Sequence, residues 1–285
     1  MKVLVTGFGF IGSHIVEELL KTTNHQIDVI DNKFRLFNYW EVHRATGHKF
    51  KNMNYQIKDI RDKNWMIQHE KYDLIIHTAA LINAHEAEEK RQDYIETNIK
   101  GTSKIAKLLK PNGKFIFLSS IAAKKSTNFY GITKEVAEML LKKIFTKNHL
   151  LIVRPYNVFG PRQEPPALIA KLFQHIKKGK VFPIKGDGRQ KRSFVYVKDL
   201  VREIIYLIDK KIKVKEIGSK NNKCVGEVVF DATWIAGFPN YPVKYINASE
   251  LSDKGSSQCK KPIKNEIAWF KSLKETWNWW DVKWF

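Results

Sequence analysis

Two periods alternate along this chain. Val3, Leu4 and Val5 form a short apolar run, and Ile11, Ile15, Val16, Leu19 and Leu20 then recur at helical spacing. Gln26 to Asp31 is a second apolar run, and Met53 to Lys58 a third. Tyr72 to Ala80 reads as a buried strand ending in small residues. A helix is predicted from about Arg91 to Leu109, closed by Pro111, Asn112 and Gly113. The apolar stretch Lys114 to Leu118 runs into Ser119 and Ser120. Another helix follows, with Val136, Ala137, Leu140, Leu141 and Ile144 on its apolar face, and then a strand from Leu150 to Val153. Repeated strand–helix units of this kind predict an α/β fold with a doubly wound parallel sheet. Further on, Ala167 to Lys178 reads as a helix, and Lys210 to Lys215 alternates Lys with Ile and Val as a half-buried strand would.

Composition limits what such a fold can be doing. At 285 residues, 43% hydrophobic and 12% aromatic, the chain can bury a full core as one large domain or two modest ones. It contains no window of about 18 uncharged apolar residues, so no membrane span is expected. With a strand predicted from residue 2, no leader is expected. The two cysteines, Cys224 and Cys259, cannot build a disulfide framework, and a reduced cytoplasmic setting fits them. No His/Cys cluster has metal-ligand spacing, so no metal is expected. The formal charge of +21 is spread along the chain, not gathered in an arm. It therefore reads as biased lysine usage and attraction for an anionic substrate, with no nucleic acid as partner.

Two clusters carry candidate chemistry. Gly7, Gly9 and Gly12 follow the first strand and open the first helix. Glycine suits a turn whose backbone N–H groups must approach a pyrophosphate at a helix N-terminus. Asp31 then ends the second strand, where a carboxylate accepts hydrogen bonds from an adenosine ribose and repels a 2′-phosphate. That pattern favours NAD over NADP, although Lys33 and Arg35 follow closely. The second cluster is Ser120 at a strand end with Tyr130 and Lys134 on a helix. Residues four apart share a helix face, so the three could move a proton at an alcohol or carbonyl without a metal.

Taken in order, these motifs resemble the extended short-chain dehydrogenases/reductases, the branch holding NAD-dependent nucleotide-sugar epimerases and dehydratases. The matching segments are the glycine turn, Val29 to Asn32, Asp59 to Asp62, His77 to Ala80, Asn98 to Thr102, Ser119 and Ser120, Tyr130 with Lys134, Arg154 to Gln163, and Gly186 to Asp199. They cover about residues 1 to 210. The Trp-rich tail from Ala268 to Trp280 is similar to last helices of some members, which argues against a membrane anchor. The resemblance implies a Rossmann-type sheet with a smaller C-terminal substrate-binding lobe. It implies that Phe10 and Ile11 hold the pyrophosphate and that Asp31, with Asn32 beside it, holds the ribose. Asp59 and Ile60 would flank the adenine, and Ala79, Ala80 and Asn98 would line the path to the nicotinamide. Tyr130 would be the acid/base. Lys134 would bind the nicotinamide ribose and depress the Tyr130 pKa, and Ser120 would bond the reacting sugar oxygen. Asn157 and Arg192 would grip the substrate diphosphate.

Ile121, Ala122 and Ala123 follow Ser120, where dehydrating and decarboxylating members usually carry an acid. What remains is hydride transfer at one carbon. The expected activity is a nucleotide-sugar epimerase, at C4, working on a nucleotide-diphosphate sugar. The alternatives are a keto-sugar reductase and a non-catalytic NAD-binding protein. The glycine turn is one residue shorter than the family's usual form, and the Ser120–Tyr130 interval is about half or less of many relatives'. Residues from about 220 to 262 match nothing assignable. Residues 1–160 plus about 190–218 are expected to form the NAD-binding domain. About 161–189 and 219–285 would form the substrate lobe, with the substrate in the cleft between. Many relatives are homodimers through a four-helix bundle that includes the Tyr-bearing helix.

Overall fold

The computed structural model describes residues 1–62, 64, 71–124, 128–145, 149–247 and 257–283. Parts of the short Ser120–Tyr130 interval (125–127) and of the unassigned 220–262 stretch (248–256) lie outside these residues. Two compact units divide the chain: Met1–Arg154 with Val201–Glu216, and Pro155–Leu200 with Ile217–Phe285. Residues 155–160 and 190–200, drawn from the sequence with the NAD-binding sheet, group by their contacts with the second unit.

The first unit is built on strands β1 (Lys2–Thr6), β2 (Gln26–Asp31), β3 (Met53–Ile57), β4 (Tyr72–His77), β5 (Leu109–Leu118) and β6 (Leu150–Pro155). With a last strand at Val214–Ile217, the spatial order is β3-β2-β1-β4-β5-β6 and then that strand. The β1–β2, β2–β3, β1–β4, β4–β5 and β5–β6 pairs are all parallel. The chain winds outward from β1 to β3, returns to β4 on the other side of β1, and winds outward again. Loops leaving β1 and β4 therefore diverge at the sheet's carboxyl edge, the switch point where open α/β sheets take ligands.

Helices connect these strands. They are α1 (Phe10–Thr22), α2 (Leu36–Thr46), α3 (Ala84–Glu89), α4 (Arg91–Tyr94), a π-helical stretch at Ile95–Gly101, α5 (Thr102–Ala106) and α6 (Phe129–Ile144). The helix expected to reach Leu109 ends at Ala106, and β5 begins at Leu109 and runs through Pro111 and Gly113. The ladder with β4 shifts register between Tyr72 and Leu74, which absorbs this irregular start. The Lys-rich alternation at 210–215 enters a strand only at Val214, because its first residues form the turn that closes a preceding helix.

Leu74–Ile76 of β4 and Phe115–Leu118 of β5 are apolar on both faces, as central parallel strands require. Leu4, Ile75, Phe115, Phe117 and Ile152 meet Ile105, Ala137 and Leu141 from the helices in one buried cluster.

In the second unit, β7 (Asn157–Phe159) pairs parallel with β9 (Lys191–Tyr196), which pairs antiparallel with β11 (Asn222–Cys224). β8 (Phe182–Lys185) pairs parallel with β12 (Val243–Ile246); the last strand of the large sheet, Val214–Ile217, is β10. Helices α7 (Leu168–Lys177), α8 (Val197–Leu207), α9 (Val225–Ile235) and α10 (Trp269–Lys283) complete the chain, α8 spanning the boundary between the units. The Trp-rich tail is an inward-packed helix: Trp269 meets Phe159 and Phe194 and donates to Asp231 at 2.8 Å, and Trp277 meets Phe173. Among the described residues no helix is long and apolar enough to cross a membrane.

Ile75 is fully buried at the centre of the large sheet. Truncating it to Ala is expected to lower the unfolding free energy by about 2–5 kcal/mol, read from the urea midpoint.

Candidate functional site

The carboxyl edge of the sheet gathers the glycine turn, Asp31, the segment after β4 and the Ser120–Tyr130–Lys134 set in the first unit. Gly7 follows β1 with φ of +84° and donates its N–H to the Ile30 carbonyl at 2.7 Å. A Cβ on Gly7 would stand 2.7 Å from the Ala79 nitrogen, and one on Gly12 would stand 1.8 Å from the Gly7 carbonyl oxygen. Neither position admits a side chain, so β1, the turn, α1 and the start of the post-β4 segment close on one another. Gly9 is the N-cap of α1 and no side chain caps that end. The amides of the first turn, Phe10 and Ile11 among them, are thus suited to a phosphate at the positive end of the helix.

Asp31 is buried at the end of β2. Its Oδ2 accepts the Phe8 N–H at 2.7 Å and Arg35 Nε at 2.9 Å, and its Oδ1 accepts the Lys33 N–H at 3.2 Å. The Arg35 guanidinium carbon lies 3.8 Å from where a Cβ on Gly9 would be, beside the turn. Asn32, next in the chain, is exposed. Asp59 is bound by Arg61 at 2.7 and 3.1 Å, while the Ile60 side chain is buried in the core against Gly101. Ile60 can therefore meet a ligand only through its backbone.

Ala79 and Ala80 are half-buried beside the glycine turn. Asn98 behaves differently from the sequence expectation. It sits in the π-helical stretch, buried, with Oδ1 accepting the Leu81 N–H at 2.9 Å. Its Nδ2 donates to the Leu81 carbonyl at 2.9 Å and to Thr133 Oγ1 at 3.1 Å. Its amide ties the post-β4 segment to α6, which is positioning work and leaves little for a ligand. The wide turn of a π-helix, often found at functional sites, aims it there.

His77 closes β4 in a buried network. Thr102 Oγ1 donates to the Asn98 carbonyl at 2.7 Å, so it can only accept from His77 Nε2, at 2.9 Å. His77 Nδ1 then accepts from Thr6 Oγ1 at 2.5 Å, which fixes the tautomer. Burial, reinforced by the Lys134 charge, pushes the imidazole down to about 3.

The reactive trio lies on β5's exit and the first turns of α6. Asn128 caps α6, accepting the Gly131 N–H at 2.8 Å. Ser120 follows β5, its Oγ accepts the Ala122 N–H at 3.2 Å, and its hydroxyl acts on the Tyr130 phenol. Burial pushes the phenol up to about 12, and the Ser120 bond only opposes this. The expected depression of Tyr130 by Lys134 is not seen: burial dominates and Ser120 is the group that opposes it. Lys134 is buried with Nζ 4.3 Å from the Phe117 ring centroid, and burial pulls its amine down to about 7 against the pull of Glu138. A hydroxyl pair beside a lysine near its titration point can pass a proton to or from an alcohol or carbonyl.

Glu138, one turn beyond Lys134, went unnoticed in the sequence. The signal was present, since Tyr130, Lys134 and Glu138 recur every four residues on one face of α6. Asn157 and Arg192 lie in the second unit, on β7 and β9. Asn157 Nδ2 donates to the Ser193 carbonyl at 3.2 Å and to Ser257 Oγ at 3.3 Å, tying β7 to β9.

An open parallel sheet with a glycine turn and acid at its switch point, and a Ser–Tyr–Lys set one strand over, defines a Rossmann-like dinucleotide-binding α/β protein. Residues 3–218 match the NAD dependent epimerase/dehydratase family, and the chain belongs to it. It is 28% identical to a UDP-N-acetyl-alpha-D-glucosaminuronate decarboxylase of Bacillus cytotoxicus, over 98% of this chain and 97% of the relative. It is similar to the structure of a UDP-N-acetylglucosamine 4-epimerase from Methanobrevibacter ruminantium in complex with UDP-N-acetylmuramic acid. That match has 26% identity, a TM-score of 0.83, and coverage of 99% of this chain and 98% of the other. The fold is also that of a Bacillus cereus UDP-glucuronic acid 4-epimerase in complex with UDP-glucuronic acid and NAD. There the TM-score is 0.85, the identity 23% and the coverage 99% of both chains. NAD is the cofactor, and the uncapped α1 terminus, the side-chain-free turn and buried Asp31 fit it.

A histidine held at about 3 makes stability fall with acid. Below the unfolded value of 6.5 the unfolded chain takes up a proton that the folded one refuses, until about pH 3. Between those limits His77 alone is expected to remove up to about 1.4 kcal/mol per pH unit. His77→Asn should flatten this limb in urea melts recorded across the range.

Proposed function

We propose that the protein is an NAD-dependent nucleotide-sugar epimerase acting at C4. The observation that carries this reading is the pairing of Ser120 and Tyr130 beside Lys134, with no acid after the serine. Residues Ile121–Lys124 form a short 3-10 turn there, and its one charged side chain, Lys124, pairs with Glu216 at 2.8 Å. Dehydration and decarboxylation need a further proton donor or acceptor at the sugar, and a turn of Ile, Ala, Ala and Lys offers no carboxyl group. The decarboxylase relative therefore supports the nucleotide-sugar class rather than its own reaction.

The backbone amides at Phe10 and Ile11 would hold the NAD pyrophosphate and Asp31 the adenosine ribose, with Gly7, Gly9 and Gly12 giving the room. Ala79 and Ala80 would give the nicotinamide a flat wall, with Asn98 fixing that wall from behind. When bound, the nicotinamide supplies a hydride acceptor and donor that is unchanged over a full epimerisation cycle. Tyr130 would take the proton of the sugar hydroxyl as it becomes a ketone and return it after the ketone turns its other face. Ser120 would bond the same oxygen, and Lys134 would hold the nicotinamide ribose while its charge favours the tyrosinate. Arg192 would grip the substrate diphosphate, with Asn157 beside it.

Incubation with UDP-, GDP-, CDP- and dTDP-sugars is expected to interconvert one pair of C4 epimers with no added cofactor and no NADH absorbance accumulating. Stoichiometric nicotinamide consumption would instead make the protein a reductase. Tyr130→Phe is expected to slow interconversion by about 100-fold or more, the usual scale of a lost acid/base, while NAD still binds. Turnover without change would remove Tyr130 from the mechanism.

A homodimer is part of the same reading. Ile132, Met139, Leu140 and Ile144 are exposed along α6, an apolar stripe on the helix that carries Tyr130. A second copy packing α6 against its own α6 would cover it. Light scattering should give twice the 33.3 kDa chain mass, and Met139→Glu should halve the particle.

A further inference from the structure

The buried lysine of the Tyr130–Lys134 pair needs an anion, and α6 provides one. On the reading that Lys134 belongs to the hydride-transfer site, we propose that Glu138 is the positioning residue that keeps Lys134 charged, itself held in place by Arg154 and Ser119. Glu138 is fully buried one helical turn from Lys134. Its Oε1 accepts from Ser119 Oγ at 2.6 Å and from Arg154 Nε at 2.8 Å, and its Oε2 accepts from Arg154 Nη2 at 2.6 Å. Lys142, one turn further along α6, reaches Oε2 at 3.3 Å. Burial alone would raise this carboxyl, yet those bonds and charges hold it below the usual carboxylate range. It is therefore an anion at neutral pH.

The groups facing Lys134 leave this task to Glu138. His77, from β4, is neutral in its Thr6–Thr102 network. Phe117, from β5, presents a ring face, and Tyr130 is protonated. Glu138 is the carboxylate whose charge opposes the desolvation of Lys134.

Arg154 does not cancel it entirely. The guanidinium is shared with Glu216, 3.9 Å away on β10, and it also feels Glu135 on α6. Glu216 in turn binds exposed Lys124 at 2.8 Å. A ladder of alternating charges, Glu138–Arg154–Glu216–Lys124, thus runs from the buried lysine to solvent. Ser119 adds a mechanical link, because the residue that fixes Glu138 directly precedes Ser120.

The test is a pH titration of 13Cε-labelled lysine by NMR on the protein as isolated, with the Lys134 signal assigned by its loss in Lys134→Arg. In the unsubstituted protein the amine should titrate near 7. Glu138→Gln keeps the shape and removes the charge, and should lower the midpoint by about one pH unit or more, a tenfold change in the charged fraction at fixed pH. Glu138→Asp keeps the charge and should restore most of that shift. Glu138→Gln with Arg154→Gln removes both charges and so leaves no unpaired buried ion; it serves where the single variant does not fold and should shift the midpoint the same way, by less. A midpoint unchanged in both Gln variants overturns the role of Glu138. This readout needs no substrate, so it stays separate from the epimerase assay: loss of the Tyr130 mechanism would leave the titration result standing.

Discussion

The pairing of β1 with β4 is the joint on which the site depends. Thr6 and His77 lie side by side in that parallel register, and their side chains are hydrogen-bonded to each other. Just beyond, Thr78 Oγ1 donates to the carbonyls of Thr6 and Gly7 at 2.8 and 3.0 Å. The two strands leave the sheet locked together at the one place where the winding direction reverses. The glycine turn and the small residues after β4 can therefore share a boundary that the Thr78 hydroxyl bridges and that has no room for a side chain on Gly7 or Gly12. His77 extends the joint through Thr102 to the π-helical stretch, and Asn98 carries it to α6. One chain of short polar contacts fixes both the segment after β4 and the helix that bears Tyr130 and Lys134.

This chain of contacts works because it is enclosed. A neutral imidazole with a fixed tautomer and an asparagine amide bonded at both ends are fully satisfied polar groups, which rigidify a core rather than weaken it. The same enclosure sets the electrostatics. It drives His77 to its neutral form, raises Tyr130 and lowers Lys134. A tyrosine near 12 is a poor base, so its activation must come from charge brought close to it and from the ligand that fills the site.

Much of the first unit was legible in the sequence because its signals are local. Apolar runs of buried parallel strands, a glycine turn and an acid at a strand end are written in neighbouring residues. The end of the helix at Ala106 was misplaced because Pro111 and Gly113 were read as breakers, whereas the irregular first half of β5 absorbs them through a register shift against β4. Asn98 reads from the sequence as lining a path to the nicotinamide, and only the fold shows that Leu81 and Thr133 consume its amide. Glu138 was passed over for a related reason: a glutamate on an amphipathic helix usually faces water, and its burial depends on Arg154 arriving from a different strand. In the second unit Asn157 reads from the sequence as a diphosphate contact, and only the fold shows that its amide is bonded to Ser193 and Ser257.

The Glu138–Arg154 pair also bears on why a charge is kept where an apolar pair would pack as well. A buried ion pair is weak evidence for stability, because desolvation offsets much of its attraction. Here the carboxylate has a neighbour with a need of its own. Lys134 is surrounded by a ring face, a neutral histidine and a protonated tyrosine, none of which holds an ammonium ion against the cost of burial. An apolar substitute at 138 would restore packing and let the lysine lose its proton below the value of about 7 that it has beside Glu138, and with it the charge that the proposed mechanism asks of it at Tyr130. The ion pair is then explained by the function of the residue one turn before it, not by the stability of the helix.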